Sequence, residues 1–212
     1  GEVGKVYRLR IRGGLPLRGS VAVGGAKNAV LKLMAASLMG EGRSVIRNVP
    51  HIQDVLTMMG VLEALGARCR LEAGVLTIDP PAQPGYEAPE RLVREMRASI
   101  QVAGPILART GRLRVALPGG CAIGPRPVDL HLKGLRKLGA EITEAHGFIE
   151  GRARVLRGAE IHLDLPSVGA TENILMAAAL AEGTTVIRNA AREPEVVEVQ
   201  NFLNKMGGRV TG

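Results

Sequence analysis

The chain has 212 residues, of which 46% are hydrophobic and 23% charged, with 28 Gly and 12 Pro. These are globular proportions, and they exclude a disordered, collagen-like or fibrous chain. No apolar run approaches the roughly 18 residues that a membrane-spanning helix needs, and residues 1–5 contain no apolar signal region. We therefore expect a cytoplasmic domain with no membrane partner.

The formal net charge is +8, from 28 basic and 20 acidic residues. This balance favours an anionic partner, whether nucleic acid, a membrane surface or a phosphorylated small molecule. The basic residues are scattered, and the chain offers only two Tyr, two Phe and no Trp. Because single-strand nucleic-acid binders stack bases on aromatic side chains, we rank phosphorylated small molecules ahead of RNA and predict no nucleic-acid partner.

The sequence repeats itself with a period of about 70 residues, the mark of a stacked supersecondary unit. Val-Ile-Arg-Asn occurs at 45–48 and again at 186–189, each time after a helical stretch rich in Ala and Met. Helices with an apolar face are predicted to end at Gly66, Gly139 and Gly207, which lie 73 (139 − 66) and 68 (207 − 139) residues apart. We therefore predict three copies of one unit.

Each copy is predicted to hold a strand, a helix, a second strand, a second helix and a hairpin. The alternation of Ala67, Cys69 and Leu71 with charged residues is typical of a half-buried strand. The first copy is predicted to contain a strand at 21–23, a buried helix at 28–39, a strand at 44–48, a helix capped by Asp54, and strands at 67–71 and 75–79 joined at Gly74. The copies span roughly residues 21–85, 86–155 and 156–212, the last incomplete.

A loop at 118–131 is the strongest candidate for chemistry. Its first ten residues contain three Pro and three Gly, and long loops between a strand and a helix are often functional. Cys121 is expected to be exposed there, and Arg126 would lower its pKa and favour the thiolate; the alternative is an incidental surface cysteine. Cys69 is predicted to be a buried structural thiol. Two cysteines are too few for a disulfide scaffold and suit a reducing compartment.

Three further residues are candidate ligand contacts, each with a structural alternative. Lys27 stands in the first turn of a helix, where a cation opposes the helix dipole unless an anion lies beside it; the alternative is an exposed lysine. Arg97 lies in an apolar helix, where its stem can pack while its head reaches solvent. Ser167 is either a helix N-cap or a contact to a phosphate or nucleobase. The four histidines lack zinc-ligand spacing, so we predict no metal.

These stretches belong to a series of short motifs in fixed order. Together the motifs resemble those of the UDP-N-acetylglucosamine 1-carboxyvinyltransferases, a family of enolpyruvyl transferases. The shikimate-pathway enolpyruvyl transferases share the architecture but lack the cysteine loop, so they rank second. The motifs are Gly-Ala-Lys-Asn-Ala at 25–29, Met-Arg-Ala-Ser-Ile at 96–100, the loop at 118–131, Ser-Val-Gly-Ala-Thr at 167–171 and Asn-Ala-Ala-Arg-Glu-Pro-Glu at 189–195.

The resemblance implies a fold and a reaction. The fold is an α/β (α+β) inverse α/β prism, in which three βαβαββ repeats surround a pseudo-threefold axis with helices inside. The reaction moves the enolpyruvyl group of phosphoenolpyruvate to the 3′-hydroxyl of UDP-N-acetylglucosamine and releases phosphate, the first step of peptidoglycan precursor synthesis. Both substrates are small molecules, and the resemblance implies no metal and no organic cofactor.

The resemblance also implies roles for individual residues. Cys121 matches the family's mobile-loop cysteine, which acts as general acid at the enolpyruvyl methylene and is the target of fosfomycin. Lys27, Asn28 and Arg126 match residues that hold phosphoenolpyruvate. The positions that match UDP-sugar contacts are Arg97, Arg126, Pro127, Val128, Asp129, Leu130, Leu165, Pro166, Ser167 and Val168.

Members of this family are about twice as long as this chain, which corresponds to their N-terminal half. Residues 1–20, with a strand at 6–12 and a linker, are expected to join a second domain that supplies an aspartate base and a further arginine. We therefore expect the chain alone to have essentially no turnover. The alternative is a non-catalytic module of the same fold that binds a UDP-sugar or regulates a partner.

Overall fold

The computed structural model describes residues 10–117 and 128–212. Residues 10–26 precede the first helix and form neither helix nor strand. The strand predicted at 21–23 is therefore wrong: Val21 and Val23 are each 87% exposed, and no described strand pairs with them, so an extended segment has nothing to hydrogen-bond. Of the strand predicted at 6–12, positions 6–9 lie outside the described residues and the rest forms no strand.

The first repeat folds into a helix pair and a three-stranded sheet. Strand β3 lies at the centre of the sheet and pairs antiparallel with both β1 and β2. Strand β1 is shorter than predicted because Asn48 turns the chain with a left-handed φ of 57°. Asp54 is in the first turn of α2, not at its cap, which is Ile52. The elements are α1 Lys27–Ala36, a 3₁₀ helix Ser37–Met39, β1 Ser44–Ile46, α2 Gln53–Ala64, β2 Arg68–Glu72 and β3 Val75–Asp79.

The second repeat has the same sheet, with β6 at the centre and antiparallel to both β4 and β5. Glu87 forms a parallel bridge with Arg114, at the place where the repeat pattern predicts its first strand. Arg97 begins a helix, as predicted, and this helix is of the 3₁₀ type. The elements are α3 Glu90–Glu95, the 3₁₀ helix Arg97–Val102, α4 Ala103–Thr110, β4 Arg112–Ala116, α5 Asp129–Lys137, β5 Glu141–Ala145 and β6 Phe148–Arg152.

The third repeat forms a strand, helix, strand and helix. Its first strand, predicted to begin near Ile161, pairs in parallel with the second strand, so α6 is the crossover between them. Pro at the first position of α7 starts that helix without losing a hydrogen bond. The elements are β7 Glu160–His162, α6 Val168–Ala178, β8 Val186–Arg188 and α7 Pro194–Lys205.

The backbone repeats itself at the residues that define the period. Each of the three predicted glycine stops has a positive φ, of 100° at Gly66, 96° at Gly139 and 98° at Gly207. A helix that ends in this left-handed geometry favours glycine, which has no Cβ to clash. Asn189 has a φ of 55°, close to that of Asn48 in the first Val-Ile-Arg-Asn motif. The sequence period is therefore also a period of backbone conformation.

Helices α1, α4 and α6 bury apolar side chains in the interior, which agrees with the predicted prism. Several hydrogen bonds between repeats join residues about one period apart. Gln101 and Gly169 are separated by 68 residues, and Ile100 and Asn173 by 73. Arg109 crosses the other junction, donating from Nη1 to the carbonyl oxygens of Leu38, at 2.9 Å, and Gly40, at 2.8 Å. These bonds thus join corresponding levels of neighbouring repeats.

Candidate active site

The starts of α5 and α6 meet beside the 97–102 3₁₀ helix, between the second and third repeats. Gln101, in the 97–102 3₁₀ helix, donates from Nε2 to the carbonyl oxygen of Gly169 in α6, at 3.1 Å. The imidazole of His131, in the first turn of α5, lies against the same glycine, because a Cβ at position 169 would stand only 3.2 Å from its Cε1. The segments holding Arg97, Val128 and Ser167 are therefore brought together.

The start of α6 confirms Ser167 as its N-cap. The Ser167 hydroxyl accepts a hydrogen bond from the backbone N–H of Ala170 at 3.3 Å, which satisfies one of the free donors of the first turn. Val168 is half-buried as the first helical residue, while Pro166 is exposed and Leu165 is 68% exposed. The predicted contacts at 165–168 thus form an open rim around a capped helix start.

The three predicted contacts at the start of α5, residues 128–130, differ in their exposure to solvent. Val128 is buried beneath the helix, Leu130 is half-buried and Asp129 is exposed. Asp129 is favourably placed because a carboxylate in the first turn complements the helix dipole. Cys121, Arg126 and Pro127 lie outside the described residues.

Lys27 is the first residue of α1, as predicted, and its positive charge is balanced within the protein. Its Nζ lies 2.8 Å from Oδ2 of Asp54, and the two side chains are 53% and 35% exposed. The anion expected beside this cation is therefore supplied by α2. Asn28, the next residue, is exposed. The Lys27 charge is available at the surface, partly shared with Asp54.

A buried polar centre lies behind the meeting helix starts, and its hub is Asn173 of α6. The Asn173 Oδ1 accepts from the backbone N–H of Gly104 at 2.6 Å, and its Nδ2 donates to the carbonyl oxygen of Ile100 at 3.0 Å. The same Nδ2 lies 3.0 Å from Nδ1 of His131. One side chain thus ties α4, the 3₁₀ helix and α5 to α6. Sequence inspection missed it, although a polar residue before the apolar run 174–178 was a visible signal.

His131 is neutral at physiological pH. Burial, with the positive charge of Arg97 as a second cause, lowers the pKa of its imidazole to about 4. Arg97 itself is half-buried at the start of the 3₁₀ helix. The site therefore combines a fixed cation with a neutral imidazole, an arrangement suited to an oxygen-rich anionic ligand.

A second buried pair joins α1 to α6. Lys32 Nζ lies 3.2 Å from Oε2 of Glu172, and the two side chains are 10% and 0% exposed. Burial raises the pKa of the Glu172 carboxyl to about 7, and the attraction of Lys32 only partly opposes this. Neither Glu172 oxygen has a hydrogen-bond partner within residues 10–117 and 128–212, so the ion pair is the compensation that this part of the chain gives the carboxylate.

Cys69 is a half-buried thiol in β2. Burial raises its pKa to about 12, and the nearby Glu63 and Asp79 carboxylates add to the shift. At pH 8 this leaves on the order of a thousandfold less thiolate than in an unfolded chain, where the pKa is about 8.5. Cys69 was predicted to be a buried structural thiol; it is half-buried, and its raised pKa makes it unreactive.

We expect the Cys121→Ser variant, which keeps only Cys69, to react with a disulfide reagent such as DTNB at least a hundredfold more slowly when folded than in urea. The thiolate is the attacking species, and burial suppresses it. The Cys69→Ser variant is the matched control, since it keeps only Cys121. Equally fast reaction of Cys69 in folded and unfolded protein would contradict the assignment.

Among the described residues, no group of three or more His, Cys, Asp or Glu side chains is placed to hold a metal ion. No helix in the described ranges has both the length and the apolarity needed to cross a membrane.

The comparison with known families agrees with this architecture. The family model described as EPSP synthase (3-phosphoshikimate 1-carboxyvinyltransferase) matches residues 11–212. The chain belongs to the EPSP synthase family. Two solved structures of similar fold are the enolpyruvyl transferase NikO from Streptomyces tendae and an EPSP synthase from Acinetobacter baumannii. NikO has a TM-score of 0.79 at 23% identity over 91% of this chain and 45% of its own. The EPSP synthase has a TM-score of 0.68 at 19% identity over 84% and 42%.

Curated relatives within the EPSP synthase family are more similar in sequence. UDP-N-acetylglucosamine 1-carboxyvinyltransferase 1 of Symbiobacterium thermophilum is 56% identical over 211 residues, 97% of this chain and 48% of that protein. The UDP-N-acetylglucosamine 1-carboxyvinyltransferase of Mycobacterium bovis is 57% identical over 205 residues, 97% of this chain and 49% of that protein. The chain spans about half the length of the curated relatives it matches.

Proposed function

We propose that this chain is the N-terminal half of an enzyme that transfers the enolpyruvyl group of phosphoenolpyruvate to the 3′-hydroxyl of UDP-N-acetylglucosamine. The observation that carries the proposal is the 56% identity, over 97% of the chain, to a protein named for this transfer. The structures of similar fold fall below 25% identity, so they support the architecture and not the choice of substrate.

The proposed UDP-sugar contacts divide between described and undescribed residues. Arg97 and the segments 128–130 and 165–168 start the helices that converge on Gly169. Their convergence supports a single binding surface, to which Arg126 and Pro127 would add. Arg97 supplies positive charge there, and Ser167 marks a helix start, where backbone N–H groups favour phosphate oxygens.

Phosphoenolpyruvate is proposed to bind between Lys27, Asn28 and Arg126, with Cys121 as general acid at its methylene carbon. In the balanced reaction, Cys121 gives a proton to the methylene carbon while the sugar hydroxyl loses its own proton and its oxygen bonds to the adjacent enolpyruvyl carbon. The resulting methyl group then loses a proton as the bond from that adjacent carbon to the phosphate oxygen breaks, which restores the double bond and releases phosphate. Fixed cations beside the phosphate stabilise the charge that develops as it leaves. No described residue is proposed as base for the sugar hydroxyl, and we assign that role to a second domain.

The test is phosphate release by the full-length protein and by the 212-residue chain. We expect release from the full-length protein only when both substrates are present, and essentially none from the chain alone, because the reaction needs the reactants aligned in a closed cleft. Cys121→Ser and Lys27→Met should each reduce full-length kcat/KM by at least a hundredfold. Lys137→Met, at an exposed lysine of α5, should leave it unchanged.

Two outcomes would overturn the proposal. Full-length protein that binds UDP-N-acetylglucosamine without releasing phosphate would favour a non-catalytic sugar-nucleotide module. Phosphate release with shikimate 3-phosphate in place of the UDP-sugar would favour the shikimate-pathway transferase. We propose the cytoplasm as the compartment, where cysteines such as Cys121 stay reduced.

A further inference from the structure

The imidazole of His131 is buried, and one of its two ring nitrogens has a defined hydrogen-bond partner. Its residue is only 6% exposed, and its Nδ1 contacts the Asn173 amide at 3.0 Å. The opposite edge of the ring faces Gly169, where a Cβ would stand 3.3 Å from Nε2. Gly169 belongs to the first turn of α6, beside the Ser167 cap.

The orientation of the Asn173 amide follows from its other two contacts. The Gly104 backbone N–H can only donate, so the Asn173 atom that it meets at 2.6 Å is the oxygen, Oδ1. The Ile100 carbonyl can only accept, so the Asn173 atom 3.0 Å from it is the nitrogen, Nδ2. Both contacts require the same orientation. A flipped amide would place its oxygen against the Ile100 carbonyl oxygen, two acceptors, and its nitrogen against the Gly104 N–H, two donors.

The tautomer of His131 follows from the amide. Because Asn173 presents an N–H to Nδ1, that ring nitrogen must accept and cannot carry a proton. A neutral imidazole then holds its proton on Nε2. The charge of Arg97 and the burial of the ring both disfavour the imidazolium, in which Nδ1 would meet the Asn173 donor. Nε2 has no hydrogen-bond partner among the described residues, so its N–H is available at the start of α6.

We propose that Asn173 is a positioning residue that holds His131 as the Nε2–H tautomer, so that this N–H donates to an oxygen of the UDP-sugar at the start of α6. The donation to the UDP-sugar rests on the proposed function, whereas the assignment of the tautomer does not. A donor matters here because the neighbouring groups, the N–H groups of the α6 first turn and the Arg97 guanidinium, also favour acceptor oxygens.

The test is a long-range ¹H–¹⁵N NMR spectrum of full-length protein labelled at histidine, recorded at pH 7.5. The His131→Gln variant identifies the signals of His131, and His162→Gln, at an exposed histidine, is the matched control. We expect Nδ1 of His131 to give the signal of an unprotonated nitrogen and Nε2 that of a protonated one. Saturating UDP-N-acetylglucosamine should shift the Nε2 signal and leave Nδ1 little changed.

The Asn173→Asp variant reverses the polarity of the contact, since its carboxylate can only accept a hydrogen bond and therefore favours a proton on Nδ1. We expect Nδ1 to become protonated and the affinity for UDP-N-acetylglucosamine to fall about tenfold, the equivalent of one hydrogen bond. If this variant does not fold, the wild-type spectrum still decides the tautomer. A merely structural role of Asn173 would lower stability without moving the proton to Nδ1.

The outcomes separate this inference from the proposed function. A proton on Nδ1 in the wild-type protein would overturn the role of Asn173. An Nε2–H tautomer whose signal does not move when the UDP-sugar binds would overturn the proposed donation. If calorimetry shows no binding of the UDP-sugar to the full-length protein, the proposed function and the donation both fail, and the tautomer remains as a separate result.

Discussion

Gly104→Ala is expected to lower the free energy of unfolding by about 4 kcal/mol, since overpacking a close-packed interior typically costs 1–3 kcal/mol and a buried hydrogen bond is lost as well. A Cβ at this position would overlap the backbone carbonyl oxygen of Asn173 and lie 2.5 Å from its Oδ1. The carbonyl belongs to the buried helix α6 and cannot rotate away, so α4 and α6 must separate.

The measurement is the urea midpoint of the full-length protein. Gly42→Ala is the matched control, because a Cβ there meets nothing within 4 Å, and it should shift stability by less than about 0.5 kcal/mol. In an unconstrained helix, Gly→Ala stabilises by about 1 kcal/mol. A Gly104→Ala protein as stable as the control would show that α4 and α6 are not in close contact.

Lys32→Met is expected to cost about 3–5 kcal/mol at pH 8, the range for removing one partner of a buried ion pair. The variant leaves the Glu172 carboxylate, which is fully buried, with no compensating charge from the part of the chain that the structure describes. Lys137→Met, at an exposed lysine, should change stability by no more than about 0.5 kcal/mol. The double variant Lys32→Met/Glu172→Leu should recover most of the loss, because a well-packed apolar pair avoids the desolvation penalty.

The pH dependence of this pair has a definite sign. The pKa of Glu172 is raised to about 7 from an ordinary value of 4.5, so the folded protein binds the proton more tightly. The stabilisation that the Glu172 carboxyl gives the folded protein is complete below about pH 4.5. It falls by about 3 kcal/mol as the pH rises towards 7. His131 has the opposite sign, since its lowered pKa gives a contribution that is present above pH 6.5 and lost as the pH falls towards 4.

Glu172→Gln isolates the first of these effects. Comparing its unfolding free energy with that of the wild-type protein from pH 5 to pH 8 removes the shared contribution of His131. We expect the wild-type protein to lose stability relative to the variant as the pH rises through this window. A difference that stays constant across the window would mean that Glu172 titrates normally and is not desolvated.

Local patterns predicted the repeats well. The glycine stops, the alternating strand 67–71 and the strand Val75–Asp79 are set by neighbours in the chain, and the structure confirms them with small shifts of the boundaries. The strand at 21–23 failed because a strand exists only with a partner, and alternation in sequence cannot supply one. Of the two roles left open for Ser167, the helix cap is confirmed, because a cap depends only on the three residues that follow it.

The candidate site was predicted less completely, for a physical reason. Lys27 was found from its position against the helix dipole, but the residue that balances it, Asp54, comes from another helix. The polar centre at Asn173 depends on contacts with residues 69 and 73 positions away. One sequence without its fold gives no sign of which polar residues meet across such distances. Cys121 remains a prediction, since it lies outside the described residues.

The spacing of the interior bonds also sets an order of events during folding. The hairpins of β2 with β3 and of β5 with β6 pair residues no more than 11 apart, as with Arg68 and Asp79. The bonds of Asn173 to Gly104 and Ile100 close loops about six times longer. Short loops close with less loss of chain entropy. A refolding chain should therefore recover its far-ultraviolet circular dichroism before His131 acquires its buried surroundings, and the capacity to bind ligand should be the last property to return.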